Sequence, residues 1–229
     1  NHIDMDSIIR IAGEAKDINV QSPYEWQKYI CKEKVRLRIA VAYDKSFCFY
    51  YKDNIELLKK LGCDIVFFSP LNDNKLPDGT DILLLGGGYP EIYAKELSEN
   101  HAMLTSVKSA IDNGMFYLAE CGGFMYLHER LEDEHGKVYN MAGVIKGKCF
   151  NTHRLTRFGY ISIKQNERYG KTENYNISGE CLIKGHEFHY WDSTNNGSSF
   201  IAVKPSGKRS WECIHAGHNY IAGYPHLYY

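Results

Sequence analysis

The run "ILLLGGG", residues 82–88, restricts the fold more than any other stretch of this chain. Its consecutive apolar residues leave no polar face, so a strand built from them must be covered on both sides. The glycines that follow end it and permit a close backbone turn. A strand covered on both faces implies a parallel sheet between two layers, and parallel neighbours need crossover connections. The flanking sequence supplies them. "VRLRIAVAYD" at 35–44 and "CDIVFFSP" at 63–70 read as strands. Between them, "DNIELLKKLG" sets Ile55, Leu57, Leu58 and Leu61 on one helical face, with Gly62 as a stop signal. "PEIYAKELSEN" and "HAMLTSVKSAIDNG" read as helices, and "MFYLAE" as the next strand. This alternation predicts an α/β fold with an open, mostly parallel sheet flanked by helices.

After about Leu131 the texture changes. "GYISIKQ", "CLIKGHEFHYWDS", "FIAVKP" and "WECIHAGHNYIAGYPHLYY" are strand-rich, with glycine and asparagine turns between them. They predict antiparallel strands laid beside the parallel core.

The chain has 229 residues, enough for one large domain or one domain with an appendage. A net charge of −1 provides no field to steer nucleic acid or an anionic membrane. No run of about 18 apolar residues exists to span a bilayer. The seven cysteines are odd in number and scattered, without a C-x-x-C pair, which fits reduced thiols in a cytoplasm. Residues 1–30 read as a short helix, capped by Asp6 or Ser7, followed by a polar connection. We expect residues 1–34 to be a linker or remnant helix following a missing domain, and 35–229 to be the domain proper.

Chemistry concentrates at "MFYLAECGGFMYL", residues 115–127. A strand, a nucleophile, two glycines and a helix in that order make a nucleophile elbow. The tight turn exposes Cys121 above the sheet edge, and the helix N-terminus favours thiolate over thiol. The N–H of Gly122 is placed to donate to an oxyanion. A cysteine nucleophile needs a base. His226, just after a strand near the C-terminus, shares a sheet rim with Cys121 in this reading. His186 and His189 in "GHEFHY" are rivals, but their spacing points them to opposite faces of a strand. The Gly86–Gly88 turn lacks the lysine of a phosphate loop, and reads better as a second oxyanion donor.

"AYDKSFCFYYKDNIELL", "GGGYPE", "AECGGFMYL", "GHEFHY" and the terminal "YPHL" together resemble the glutaminase domain of the cobyrinic acid a,c-diamide synthases, from about Arg38 to Tyr229. The resemblance implies a class I glutamine amidotransferase fold, flavodoxin-like, with an added antiparallel part. It implies that Cys121 attacks the glutamine side-chain amide to give a γ-glutamyl thioester and ammonia. His226 matches the histidine that activates the cysteine, and Gly87 and Gly122 match the backbone oxyanion hole. The family passes ammonia to a covalently linked N-terminal synthetase domain. There Mg2+ and ATP activate the a and c carboxylates of the corrinoid cobyrinate. No cofactor and no metal is expected within the present domain.

The sequence departs from that pattern at three places. The synthetase domain and its P-loop are absent, so this chain alone should not make a diamide. Tyr228 stands where many class I amidotransferases carry glutamate, which leaves the third triad member open, with Glu187 as candidate orienter. The chain stops three residues past His226, where relatives continue into a further helix. Nickel-sirohydrochlorin diamide synthases share much of the pattern and are the alternative. Cysteine-elbow peptidases and chaperones commonly carry histidine directly after the cysteine, where Gly122 stands here.

Overall fold

The alternation of strands and helices builds a mostly parallel main sheet. The computed structural model describes residues 3–16, 36–169 and 183–229. Helix α1 (Met5–Glu14) comes first, then β1 (Arg38–Ala42), β2 (Phe47–Phe49), α2 (Lys52–Lys60), β3 (Asp64–Phe68), β4 (Ile82–Leu85) and β5 (Gly87–Gly88). Helices α3 (Ala94–Glu99) and α4 (His101–Asp112), strand β6 (Phe116–Glu120) and helix α5 (Gly122–Leu127) follow. The remainder is almost all strand: β7 (His128–Glu132), β8 (Val138–Asn140), β9 (Ile145–Asn151), β10 (Arg157–Gln165), β11 (Ile183–His189) and β12 (Trp191–Ser193). It ends with β13 (Phe200–Val203), β14 (Ser210–Cys213), β15 (His215–Gly217), β16 (Tyr220–Gly223) and β17 (His226–Leu227).

The main sheet has the order β15-β16-β6-β4-β1-β3. Strands β16, β6, β4, β1 and β3 are parallel, and β15 closes one edge antiparallel. In β4, Leu83 and Leu85 join the core on one face with Met103 and Val107 of α4 and Phe124 of α5. Leu84 points the other way, packing with Ile39 and Val41 beneath Ile55 and Leu58 of α2. All three leucines are buried, which is why the run has no polar position.

A five-stranded antiparallel sheet, β14-β13-β10-β11-β17, lays Ile161, Ile163, Ala202 and Leu227 against Leu118 and Ile221 of the main sheet. The terminal run 211–229 departs from the purely antiparallel expectation. Its β16 returns to the main sheet as a parallel neighbour of β6, pairing Ala222 with Ala119. Both alanines are buried, and such small side chains let the strands be covered on both faces.

The cap of α1 also differs. Asp4, not Asp6 or Ser7, caps it: its carboxylate accepts from the Ser7 backbone N–H at 3.1 Å and the Ser7 hydroxyl at 2.7 Å. Asp4 keeps an extended backbone one position before the helix, as an N-cap requires. The polar connection expected after α1 falls on residues 17–35, outside the described residues.

Candidate active site

Cys121 joins β6 to α5 with φ 45° and ψ −101°, a backbone conformation that costs a non-glycine residue about 1–3 kcal/mol. Neighbouring backbone holds it there. The Cys121 N–H donates to Gly223 O at 2.9 Å, the Gly123 N–H to Gly86 O at 2.8 Å, and the Met125 N–H to Cys121 O at 2.9 Å. The two glycines after the cysteine answer a need for space. A Cβ on Gly123 would lie 2.2 Å from Leu85 O, and one on Gly122 would lie 3.0 Å from both Gly88 N and Pro90 Cδ. The elbow is pressed against the turn that ends β4. Gly122 opens α5, so its N–H has no intrahelical acceptor.

His226 arrives from the far end of the chain. It lies on β17, directly across from His186 of β11. Helix α2 pins this last strand: the Asn54 amide donates to Leu227 O at 2.9 Å and accepts from the Tyr229 N–H at 3.3 Å. The imidazole rests on Gly87, where an added Cβ would meet His226 Cε1 at 2.4 Å. The Phe49 ring meets it edge-on, centroids 4.7 Å apart. The structure thus brings together all four residues singled out from the sequence: Cys121, His226, Gly87 and Gly122. Burial, the largest single influence on His226, pulls its imidazolium down. The charge and hydrogen bond of Cys121, followed by Glu120, outweigh it and hold His226 up at about 10.

Glu120 is the residue that reading the sequence missed. Its Oε1 accepts the Leu227 N–H at 3.1 Å, and its Oε2 lies 3.7 Å from His226 Nδ1. The signal was its position, immediately before the nucleophile on a buried strand end, where a charged residue needs a reason to be. Glu187 does not take that place. Its carboxylate accepts from Trp211 Nε1 at 3.1 Å and pairs with His189 Nε2 at 3.0 Å. Strand alternation decides this: Glu187 and His189 share the inner face of β11, and His186 points to the outer one with His226. The His186 and His226 ring centroids are 6.0 Å apart. His189 instead stacks on Tyr224 at 4.0 Å. Tyr228 donates its hydroxyl to Asp53 at 3.2 Å.

The other buried thiols have no such company. Burial pushes Cys149 and Cys213 up to about 12, so both stay protonated and inert. Among the described residues, no three His, Cys, Asp or Glu side chains converge to hold a metal ion, and no helix is long and apolar enough to cross a membrane. An apolar groove of about 350 Å³, lined by Ile39, Leu84, Leu118, Ile221 and Leu227 among others, contains none of the elbow groups.

The CobB/CobQ-like glutamine amidotransferase domain matches residues 38–229. A cobyrinate a,c-diamide synthase of Fusobacterium nucleatum is 40% identical over 100% of this chain and 51% of its own length. Another, from Caldanaerobacter subterraneus subsp. tengcongensis, is 38% identical over 99% of this chain and 48% of its own. The chain therefore spans about half the length of these curated relatives. A solved glutamine amidotransferase superposes with a TM-score of 0.55 at 13% identity, covering 82% of this chain and 89% of that one. One from Thermotoga maritima gives 0.54 at 8%, covering 83% and 76%. These two establish the fold alone, which is that of the class I glutamine amidotransferases. By its sequence match over nearly the whole described region, the chain belongs to the CobB/CobQ-like glutamine amidotransferase domain family.

Proposed function

We propose that this chain is the glutamine-hydrolysing part of an ATP-dependent cobyrinate a,c-diamide synthase. The observation that carries the reading is Cys121, held on a strained elbow beside a buried histidine whose proton affinity the cysteine's own charge raises. In this mechanism the Cys121 thiolate attacks the carbonyl carbon of the glutamine side-chain amide. The N–H groups of Gly87 and Gly122 stabilise the oxyanion. The C–N bond breaks as the His226 imidazolium gives its proton to the leaving nitrogen, releasing ammonia and leaving a γ-glutamyl thioester. Water then attacks the thioester, His226 takes up a proton, and glutamate departs with the cysteine restored.

The names of the full-length relatives favour the corrinoid substrate over other tetrapyrroles. The part of those relatives that this chain does not span is where we assign carboxylate activation with Mg2+ and ATP. The glycine turn lacks the lysine of a phosphate loop, which supports placing nucleotide binding outside this domain. Its Gly87 face is filled by the His226 ring, and a Cβ on Gly88 would meet Ser46 O at 2.1 Å. The test is ammonia release with glutamine as substrate. Cys121→Ser should abolish it while leaving the fold intact, and a glutamine-like electrophile should label Cys121 but not Cys149 or Cys213. Undiminished ammonia release from folded Cys121→Ser protein would overturn the assignment.

A further inference from the structure

We propose that Glu120 is the positioning residue for His226: a third member of the catalytic set, supplied by the strand that carries the nucleophile and not by the strand that carries the histidine. The inference deepens the function proposed above and rests on His226 as the proton carrier. Three observations carry it. Glu120 is buried and, among the described residues, His226 is its one ion-pair partner. An acceptor for the Leu227 N–H alone would not need a charge, and a buried carboxylate is costly unless something cationic faces it. His226 Nδ1 is itself buried without a hydrogen-bond partner. The Glu120 Oε2, 3.7 Å away, is the acceptor toward which an Nδ1–H can be directed. Finally, the carboxylate is doubly tethered. Its backbone is the last residue of β6, next to Cys121, and its Oε1 holds the Leu227 N–H, next to His226. One side chain therefore fixes the distance between the nucleophile and the base.

Among the described residues, the surroundings leave Glu120 without a competitor. Burial first, and the charge of Glu120 after it, raises Tyr50, Tyr51 and Tyr229, so all three are neutral phenols near neutral pH. On the His226 side stand Cys121, the Phe49 ring of β2, Gly87 of β5 and His186 of β11. Burial lowers His186, with His226 adding to the effect, so it tends to neutrality and does not replace the carboxylate. The proposed role is to keep the Nδ1–H tautomer, which leaves Nε2 for the exchange of protons with Cys121 and substrate.

The experiment compares Glu120→Gln and Glu120→Asp with the unaltered chain. Gln is isosteric and can still accept the Leu227 N–H, so the thermal midpoint should hold. His226 is followed by NMR of nitrogen-labelled histidine across pH, and ammonia release is measured alongside. In Glu120→Gln the His226 titration midpoint should fall by about one unit or more, and kcat should drop by about 10² or more with KM little changed. Glu120→Asp, charged but shorter, should recover part of the midpoint. An unchanged His226 midpoint in a folded Glu120→Gln protein would overturn the proposal, as would recovery of both readouts by a neutral residue. The NMR midpoint reports on the Glu120–His226 pair whether or not glutamine is hydrolysed. Failure of the glutaminase reading, seen with Cys121→Ser, is thus separable from failure of this one.

Discussion

At the scale of single residues, the site works by placing charges where water cannot compensate them. His226 holds its proton up to about 10, against about 6.5 for a free histidine. The stability contributed by this imidazolium is therefore complete below about pH 6.5 and is lost as pH rises through about 10. His226→Gln should lower ammonia release by about 10²–10⁴-fold. It should also lie below the unaltered chain in thermal midpoint near neutrality, with the gap narrowing as pH approaches about 10. A gap that stays constant across that range would mean that no charged pair contributes. Burial raises the thiols of Cys149 and Cys213, so the surroundings of a cysteine, and not the side chain itself, set its proton affinity.

At the scale of elements, the site is a junction between two turns. The end of β4 and the start of α5 approach so closely that Gly123 has no room for a methyl group beside Leu85 O. Gly123→Ala should cost about 1–3 kcal/mol in a denaturant titration, because the obstacle is backbone and cannot swing aside. It should also slow Cys121 labelling by shifting the elbow. Gly13 offers the contrast, with nothing within 4 Å of an added Cβ, so Gly13→Ala in α1 should lie within experimental error of the unaltered chain or slightly above it. Equal loss at both positions would show that the crowding at the elbow is not what requires glycine there.

At the scale of the molecule, two sheets and a helix bring residues far apart in sequence to one cysteine. β6 brings Cys121, β17 brings His226 from the C-terminus, and α2 clamps that strand through Asn54. The chain spans about half the length of the curated relatives it matches. Under the function proposed above, glutamine hydrolysed out of step with an ammonia-using half would be wasted. Coupling between two sites is a free energy shared by both, so removing one changes the other. Glutamine hydrolysis by residues 1–229 alone should be slow, and should rise when the N-terminal half of a relative is supplied with its tetrapyrrole and Mg-ATP. Full activity from the isolated chain, indifferent to that addition, would show the two sites to be independent.

Local sequence determined a good deal. The unbroken apolar run 82–85 required a strand covered on both faces, and the alternation around it required a parallel sheet. The order strand, cysteine, two glycines, helix required an elbow with Cys121 at its apex. These readings succeed because each depends on contacts within a few residues or on periodicity. The elbow pointed to the Gly122 N–H and the sheet rim to His226 among its rivals, Gly87 came from the family resemblance, and the fold brings the three together. What local sequence did not determine was the return of β16 to the main sheet, or which carboxylate meets His226. Glu187, one residue from His186, was the candidate orienter, and Glu120 was not singled out. Strand alternation turned Glu187 inward to Trp211 and His189, while the pairing of β16 with β6 and of β17 with β11 carried His226 to Glu120, 106 positions earlier in the chain. Strand pairing at that separation is decided by packing of the whole chain, and no local pattern encodes it.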